Sequence, residues 1–260
     1  MLIMDLNIFV LLGACAIGLS LGLMGSGGSI LSVPVLVYLA DQPEKVAIAS
    51  SLVIVGSIAL FGSLSCIRQR LVGWGTVLTF GIPSMIGTYG GAWLSVYLSG
   101  IVQLAIFAGV MLLASYFMLR QKKIIEEVTE HERNNLKIVA DGLVVGMVTG
   151  IVGVGGGFLI VPALVLLCGL AMRVAIATSL VIIALKSFSG FVKYLDVLEQ
   201  TGLAIDWQVV GVMIIIGGLG SMLGNKIADK VPHAKLKKMF GFFLTIMGIY
   251  ILVNSVPQLL

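Results

Sequence analysis

The chain has 260 residues, 59% of them hydrophobic and 11% charged, with a mean hydropathy of +1.13. Soluble domains carry about 25% charged residues, so this composition argues against a soluble enzyme and for a polytopic membrane protein. The formal net charge of +4 reads as membrane topology rather than nucleic-acid binding, so where the basic residues fall matters more than their sum.

The first residues, Met1 to Asp5, lack the basic start of a signal peptide, and the apolar run at 6–23 is expected to be retained. Glycines at 25, 27 and 28 break that run before a shorter apolar piece at 29–40. Glycine inside an apolar run weakens a helix through backbone entropy and lost packing. In a membrane, the freed N–H and C=O groups are tolerated only inside protein or along a cavity. Spans are expected at 46–67, 75–98 and 101–119, followed by a polar connection at 120–137. The second half repeats the plan, with a broken pair at 138–152 and 157–170 and spans at 174–192, 207–225 and 239–255.

The repeat is legible residue by residue. A shift of 128 lays Gly25 on Gly153, Gly27 on Gly155, Gly28 on Gly156, Pro34 on Pro162, and the Ala49-Ser50-Ser51-Leu52 run on Ala177-Thr178-Ser179-Leu180. A shift of 133 lays Trp74 on Trp207, Gly87 on Gly220, Gly91 on Gly224 and Phe107 on Phe240. A nearly constant register across several segments indicates internal duplication, a transporter signature.

Charge placement bears on the topology. If each broken pair crosses once, the loops on the two sides hold eight and seven basic residues, which gives no orientation. If each glycine break reverses the chain, one side collects Arg68, Arg70, Arg120, Lys122, Lys123, Arg133, Lys137, Arg173, Lys226, Lys230, Lys235, Lys237 and Lys238. The other side keeps Lys45 and Lys193. Thirteen against two is a strong positive-inside signal. The expected fold is therefore all-α and polytopic. Two inverted repeats, 1–119 and 138–260, each hold a glycine-broken, re-entrant first pair and three transmembrane helices, with 120–137 cytoplasmic and both termini outside. Eight plain spans without charge bias are the alternative.

The candidate binding residues follow from this geometry. Gly25, Ser26, Gly27, Gly28 and Ser29, with Gly153, Gly155, Gly156 and Gly157, let the backbone approach a ligand ahead of a short helix whose positive end attracts anions. The competing reading makes these glycines helix-packing notches. Ser50, Ser51, Thr178 and Ser179 are candidate side donors, unless each hydroxyl returns to its own helix carbonyl. Lys186 is the basic residue deep in an apolar span, and its repeat mate is Ile58. A lysine at a span centre costs about 2.5–3.5 kcal/mol on insertion scales and usually faces a cavity. Asp141 is a proton-coupling carboxylate or a helix-dipole partner. Trp74 and Trp207 read as interfacial anchors, and the Gly87/Gly91 and Gly220/Gly224 pairs as close helix contacts. The dispersed Cys15, Cys66, Cys168, His131 and His233 give no metal site, and neither a cofactor nor a catalytic residue is expected.

At these motifs the sequence resembles the TauE/SafE family of sulfite exporters, also called the toluene sulfonate uptake permeases, over essentially the whole chain. The residues that carry the likeness are Gly25-Ser26-Gly27-Gly28 with Pro34, Gly153 to Gly157 with Pro162, and the two Ala-Ser/Thr-Ser-Leu runs. Val154, where the first half has Ser26, departs from the internal pattern. The resemblance implies a secondary transporter that moves sulfite or an organosulfonate across the inner membrane, with export as the default direction. A passive anion channel is the rival. The expected partners are the small anionic substrate and the bilayer, with no nucleic acid; a homodimer stays open.

Overall fold

Residues 8–25, 27–120, 135–152, 157–228 and 230–255 are described in a computed structural model. They are all-helical, with no strand among them. The first broken segment forms α1 (Ile8–Met24) and α2 (Gly27–Tyr38). Gly25 between them adopts φ +71°, and its N–H bonds Leu21 O at 2.7 Å. A left-handed residue with this bond is a glycine helix stop. The chain reverses there. Gly28 of α2 rests on the Ile17 carbonyl and the Leu21 side chain, and Gly13 near the start of α1 rests on Val35 near the end of α2. The glycines thus act at once as a turn and as a close antiparallel contact.

The rest of the first half is α3 (Glu44–Arg68), α4 (Trp74–Thr76), a π-helical turn at Val77–Gly81, α5 (Ile82–Leu94) and α6 (Gly100–Arg120). The second half is α7 (Asn135–Val152), α8 (Gly157–Leu166), α9 (Met172–Thr201), α10 (Trp207–Ala228) and α11 (His233–Ser255). The π-helical turn has a local cause. Pro83 lacks an N–H and its ring crowds the preceding turn, so the helix widens just before it. The equivalent position in α10 is Ile216, and α10 runs unbroken. Among the described residues, four helices are long and apolar enough to cross a membrane (α3, α6, α9 and α10). At about 1.5 Å per residue, α2 and α8 are too short to cross. α9 continues to Thr201, past the apolar run ending near 192, and closes on Gly202 at φ +67°.

Packing exchanges partners between the halves. α1 packs on α10, and its counterpart α7 packs on α5, the counterpart of α10. The contacts match residue for residue. A side chain on Gly22 would strike Ser221 O, and one on Gly150 would strike Thr88 O. One on Gly18 would strike Gly217 O, and one on Gly146 would strike Ser84 O. Gly87 and Gly91 press on Leu143 and Met147 just as Gly220 and Gly224 press on Cys15 and Leu19. Small residues allow this backbone-on-backbone approach, the usual packing of helices in lipid. The anticipated close-contact role of both glycine pairs is what the structure displays.

Two counterparts pack on each other, and they run antiparallel. In the α3–α9 pair, Gly56 meets Ser187 and Phe188, and Gly62 meets Leu180. In the α6–α11 pair, Ser115 Oγ bonds Gly241 O at 2.7 Å while Gly248 meets Leu112. Large apolar side chains such as Leu60, Phe61, Leu64, Ile86, Ile215 and Leu219 face outward, as a lipid-facing surface requires.

Candidate functional site

Of the first candidate set, Gly25, Gly27, Gly28 and Ser29 are described, and all are buried. Ser26 lies outside the described residues, as do Gly153, Gly155 and Gly156 of the second set. α2 begins at Gly27, so Ser29 falls in its first turn and not at its cap; α8 begins at Gly157. The Gly25 turn meets the other half directly. A Cβ on Gly25 would sit 2.8 Å from Ser179 Oγ and 2.9 Å from Ile176 Cα.

The four hydroxyl candidates separate into different roles. Ser51 Oγ donates to Ile48 O at 2.7 Å and Ser179 Oγ to Ile176 O at 2.8 Å, each within its own helix. Ser179 Oγ also lies 3.4 Å from Gly25 O, but a hydroxyl has one proton to give, and the shorter bond holds it. Thr178 Oγ1 accepts the Gly73 N–H at 2.9 Å and so ties α9 to the loop before Trp74. Ser50 Oγ is buried with no hydrogen-bond partner among the described residues.

Lys186 is fully buried on α9, and its Nζ donates to Thr149 Oγ1 on α7 at 3.0 Å. Thr149 in turn donates to Gly146 O at 2.9 Å. No carboxylate among the described residues pairs with Lys186. The other lysine within α9, Lys193, bonds Asp196 at 2.6 Å near the surface. Asp141, in the second turn of α7, is only partly buried.

Several buried polar residues were not singled out from the sequence. Gln103 on α6 is fully buried, and its amide donates to Ile151 O and to Tyr194 Oη, the latter at 3.0 Å. Tyr194 Oη reaches Gly150 O at 3.4 Å. The carbonyls of Gly150 and Ile151, in the last turn of α7, are thus met by side chains instead of water. Asn225 of α10 donates to Gly62 O at 3.0 Å and Ser65 Oγ at 3.1 Å on α3. A polar residue inside an apolar run was the available signal.

These contacts lie at different heights along α9. Gly25 docks at Ile176 and Ser179, whereas the end of α7 docks at Lys186 and Tyr194. Seven residues separate Ser179 from Lys186, about 10 Å of helix. The Gly25 turn and the last turn of α7 thus reach α9 about two helical turns apart, while the second glycine turn lies outside the described residues.

The sulfite exporter TauE/SafE family matches residues 10–251. The chain belongs to this family. Among curated relatives, a probable membrane transporter protein of Xylella fastidiosa (strain 9a5c) is 29% identical over 245 residues, covering 92% of each chain. One of Haemophilus influenzae is 30% identical, covering 92% of this chain and 95% of its own. One of Methanocaldococcus jannaschii is 25% identical, covering 91% and 93%. No solved structure matches. This TauE/SafE chain is therefore an integral membrane transporter protein by family, with no group of three or more metal-binding side chains among the described residues.

Proposed function

We propose that the chain is a secondary transporter that moves a small sulfur-containing anion, sulfite or an organosulfonate, out across the inner membrane. The observation that carries this reading is Lys186, a fully buried lysine whose Nζ has no carboxylate partner among the described residues. A lone charge in a low-dielectric interior costs several kcal/mol, and a transported anion is the group that would neutralise it. The family's description names sulfite as the exported species.

The mechanism is alternating access of two inverted halves. Support comes from the antiparallel α3–α9 and α6–α11 counterparts and from the exchanged α1–α10 and α5–α7 interfaces. A two-fold axis across the helices relates such pairs, as in transporters with inverted repeats. Charge supports the orientation. Arg68, Arg70, Lys137, Arg173, Lys226, Lys230, Lys235 and Lys238 all fall at one end of the bundle. The other end holds Asp41, Glu44, Asp196, Glu199 and Asp206, with Lys45 and Lys193. Both of these lysines have structural partners. Lys45 Nζ donates to Ser95 O at 2.6 Å and Leu98 O at 2.7 Å, and Lys193 pairs with Asp196. The basic end is then cytoplasmic, which puts both termini on the far side.

The test is sulfite flux in proteoliposomes, with wild type against Lys186→Met. The expected result is saturable wild-type transport and an affinity about tenfold to a hundredfold weaker in the variant, the loss of one hydrogen bond to a charged group. Unchanged transport and affinity would remove the lysine's role. Flux that never saturates would make the protein a channel.

A further inference from the structure

The α3–α10 interface has a counterpart in the α9–α5 interface, and the two agree at equivalent residues. A Cβ on Gly62 would sit 2.6 Å from Ser221 Oγ, and one on Gly190 would sit 2.9 Å from the Thr88 side chain. Gly218 faces Phe61, and at the equivalent place Ser189 Oγ donates to Met85 O at 3.3 Å. Shifts of 128 and 133 carry each pair onto the other.

The agreement stops where the second helix of each pair begins. Thr178 Oγ1 on α9 accepts the N–H of Gly73, the residue before Trp74 and the N-cap of α4. The same shifts carry Thr178 to Ser50 and Gly73 to Asp206, the residue before Trp207. Ser50 stands eleven residues before Phe61 on α3, about three helical turns, so it shares the face toward α10. Thr178 stands in the same relation to Ser189. Yet the second bond is not made. Ser50 Oγ is fully buried with no hydrogen-bond partner among the described residues. The Asp206 N–H makes none of the described hydrogen bonds, although Asp206 Oδ1 takes the N–H groups of Gln208 and Val209. Buried hydroxyls normally have partners. Here the acceptor and the donor left over are the two groups whose counterparts are joined in the other interface.

We infer that Thr178–Gly73 and Ser50–Asp206 are two latches of the transport cycle that close alternately, and that this structure has the first closed and the second released. The inference rests on the transporter reading above. Each latch ties one half to the other. Gly73 follows Arg68 and Arg70 at the basic end, and Asp206 lies at the opposite end. When the halves exchange conformations by rocking, Ser50 Oγ accepts the Asp206 N–H and Thr178 parts from Gly73. Ser50 and Thr178 are then positioning residues that hold one end shut at a time.

Disulfide formation between Ser50→Cys and Asp206→Cys tests this, in membrane vesicles, on the full chain with Cys15, Cys66 and Cys168 replaced. The bond needs Cβ atoms within about 3.5–4.5 Å, so its rate reads closure of the second latch. Adding Thr178→Val removes the acceptor of the first latch and is expected to speed cross-linking about twofold to tenfold, the worth of one hydrogen bond. Thr178→Ser keeps that acceptor and is expected to cross-link at the parent rate. All three proteins share the cysteine pair, so its own cost cancels. No cross-link, or a rate that Thr178→Val leaves unmoved, overturns the alternation. With the native cysteines in place, Ser50→Ala is expected to slow sulfite flux in proteoliposomes about twofold to tenfold without lowering Tm, since it removes a polar atom unpartnered in this state. A Tm lowered as much as in Thr178→Val, or unchanged flux, overturns the released latch. Cross-linking that responds to Thr178→Val in a protein that moves no sulfite supports the latches and overturns the sulfite reading alone.

Discussion

Gly90 and Gly91 are neighbours on α5, and alanine at each should act in opposite directions. A Cβ on Gly91 would overlap the Met147 carbonyl and lie 2.8 Å from Ile151 N, both backbone atoms of α7. Neither can swing aside as a side-chain end can, so α5 and α7 must part. Overpacking costs about 1–3 kcal/mol, and rigid backbone on both sides puts this case near the top of that range. The better helix propensity of alanine returns up to about 1 kcal/mol. The net expectation is a loss of about 2 kcal/mol, or a Tm about 4–8 °C lower for a chain of this size. A Cβ on Gly90 would meet nothing within 4 Å, so Gly90→Ala keeps the propensity gain without the clash and should raise Tm by up to about 4 °C. The assay is thermal unfolding in detergent followed by circular dichroism. The α1–α10 interface provides a replicate, because a Cβ on Gly224 would lie 2.5 Å from Leu19 O. Gly91→Ala melting at or above Gly90→Ala would refute the close α5–α7 approach, and with it the matched interfaces on which the two-fold argument rests.

Gly25→Ala should destabilise by about 2–4 kcal/mol, adding the left-handed conformation to an overlap with Ile176; a melt within about 2 °C of wild type would contradict this turn. Lys45→Met should lower Tm measurably and leave substrate affinity unchanged, since its ammonium caps Ser95 O and Leu98 O; a selective loss of affinity would refute a purely structural lysine. Lys193→Met should leave Tm close to wild type because its pair with Asp196 is near the surface, where ion pairs contribute little; a clear drop in Tm would contradict this. Cysteine labelling in intact cells, with Cys15, Cys66 and Cys168 replaced, should modify Asp41→Cys from outside and Lys230→Cys only after permeabilisation. The reverse pattern would invert the proposed orientation.

Much of this architecture could be read before any coordinates, because duplication wrote it twice. The 128 and 133 shifts paired Gly22 with Gly150 and Gly91 with Gly224, and those positions do make equivalent contacts. The reversal at Gly25 followed from the positive-inside argument, which needs only the loop charges. What the sequence left open concerns partners far apart in the chain. Thr178 was read as a candidate side donor, and its oxygen also accepts the Gly73 N–H, 105 positions away. Ser51 and Ser179 were evenly divided between ligand and helix, and each hydroxyl does donate to a carbonyl three residues back. Gln103 and Tyr194 went unremarked because each is an ordinary polar residue near a helix end; their meaning arises only where α6 and α9 converge on the end of α7. Yet the register already contained the clue. Lys186 was noticed as the basic residue deep in an apolar span; its counterpart is Ile58, and the same comparison sets Tyr194 against Cys66 and Gln103 against Leu236. Asn225 against Ala92 is a further departure from the register, and its amide is satisfied on Gly62 O and Ser65 Oγ of α3.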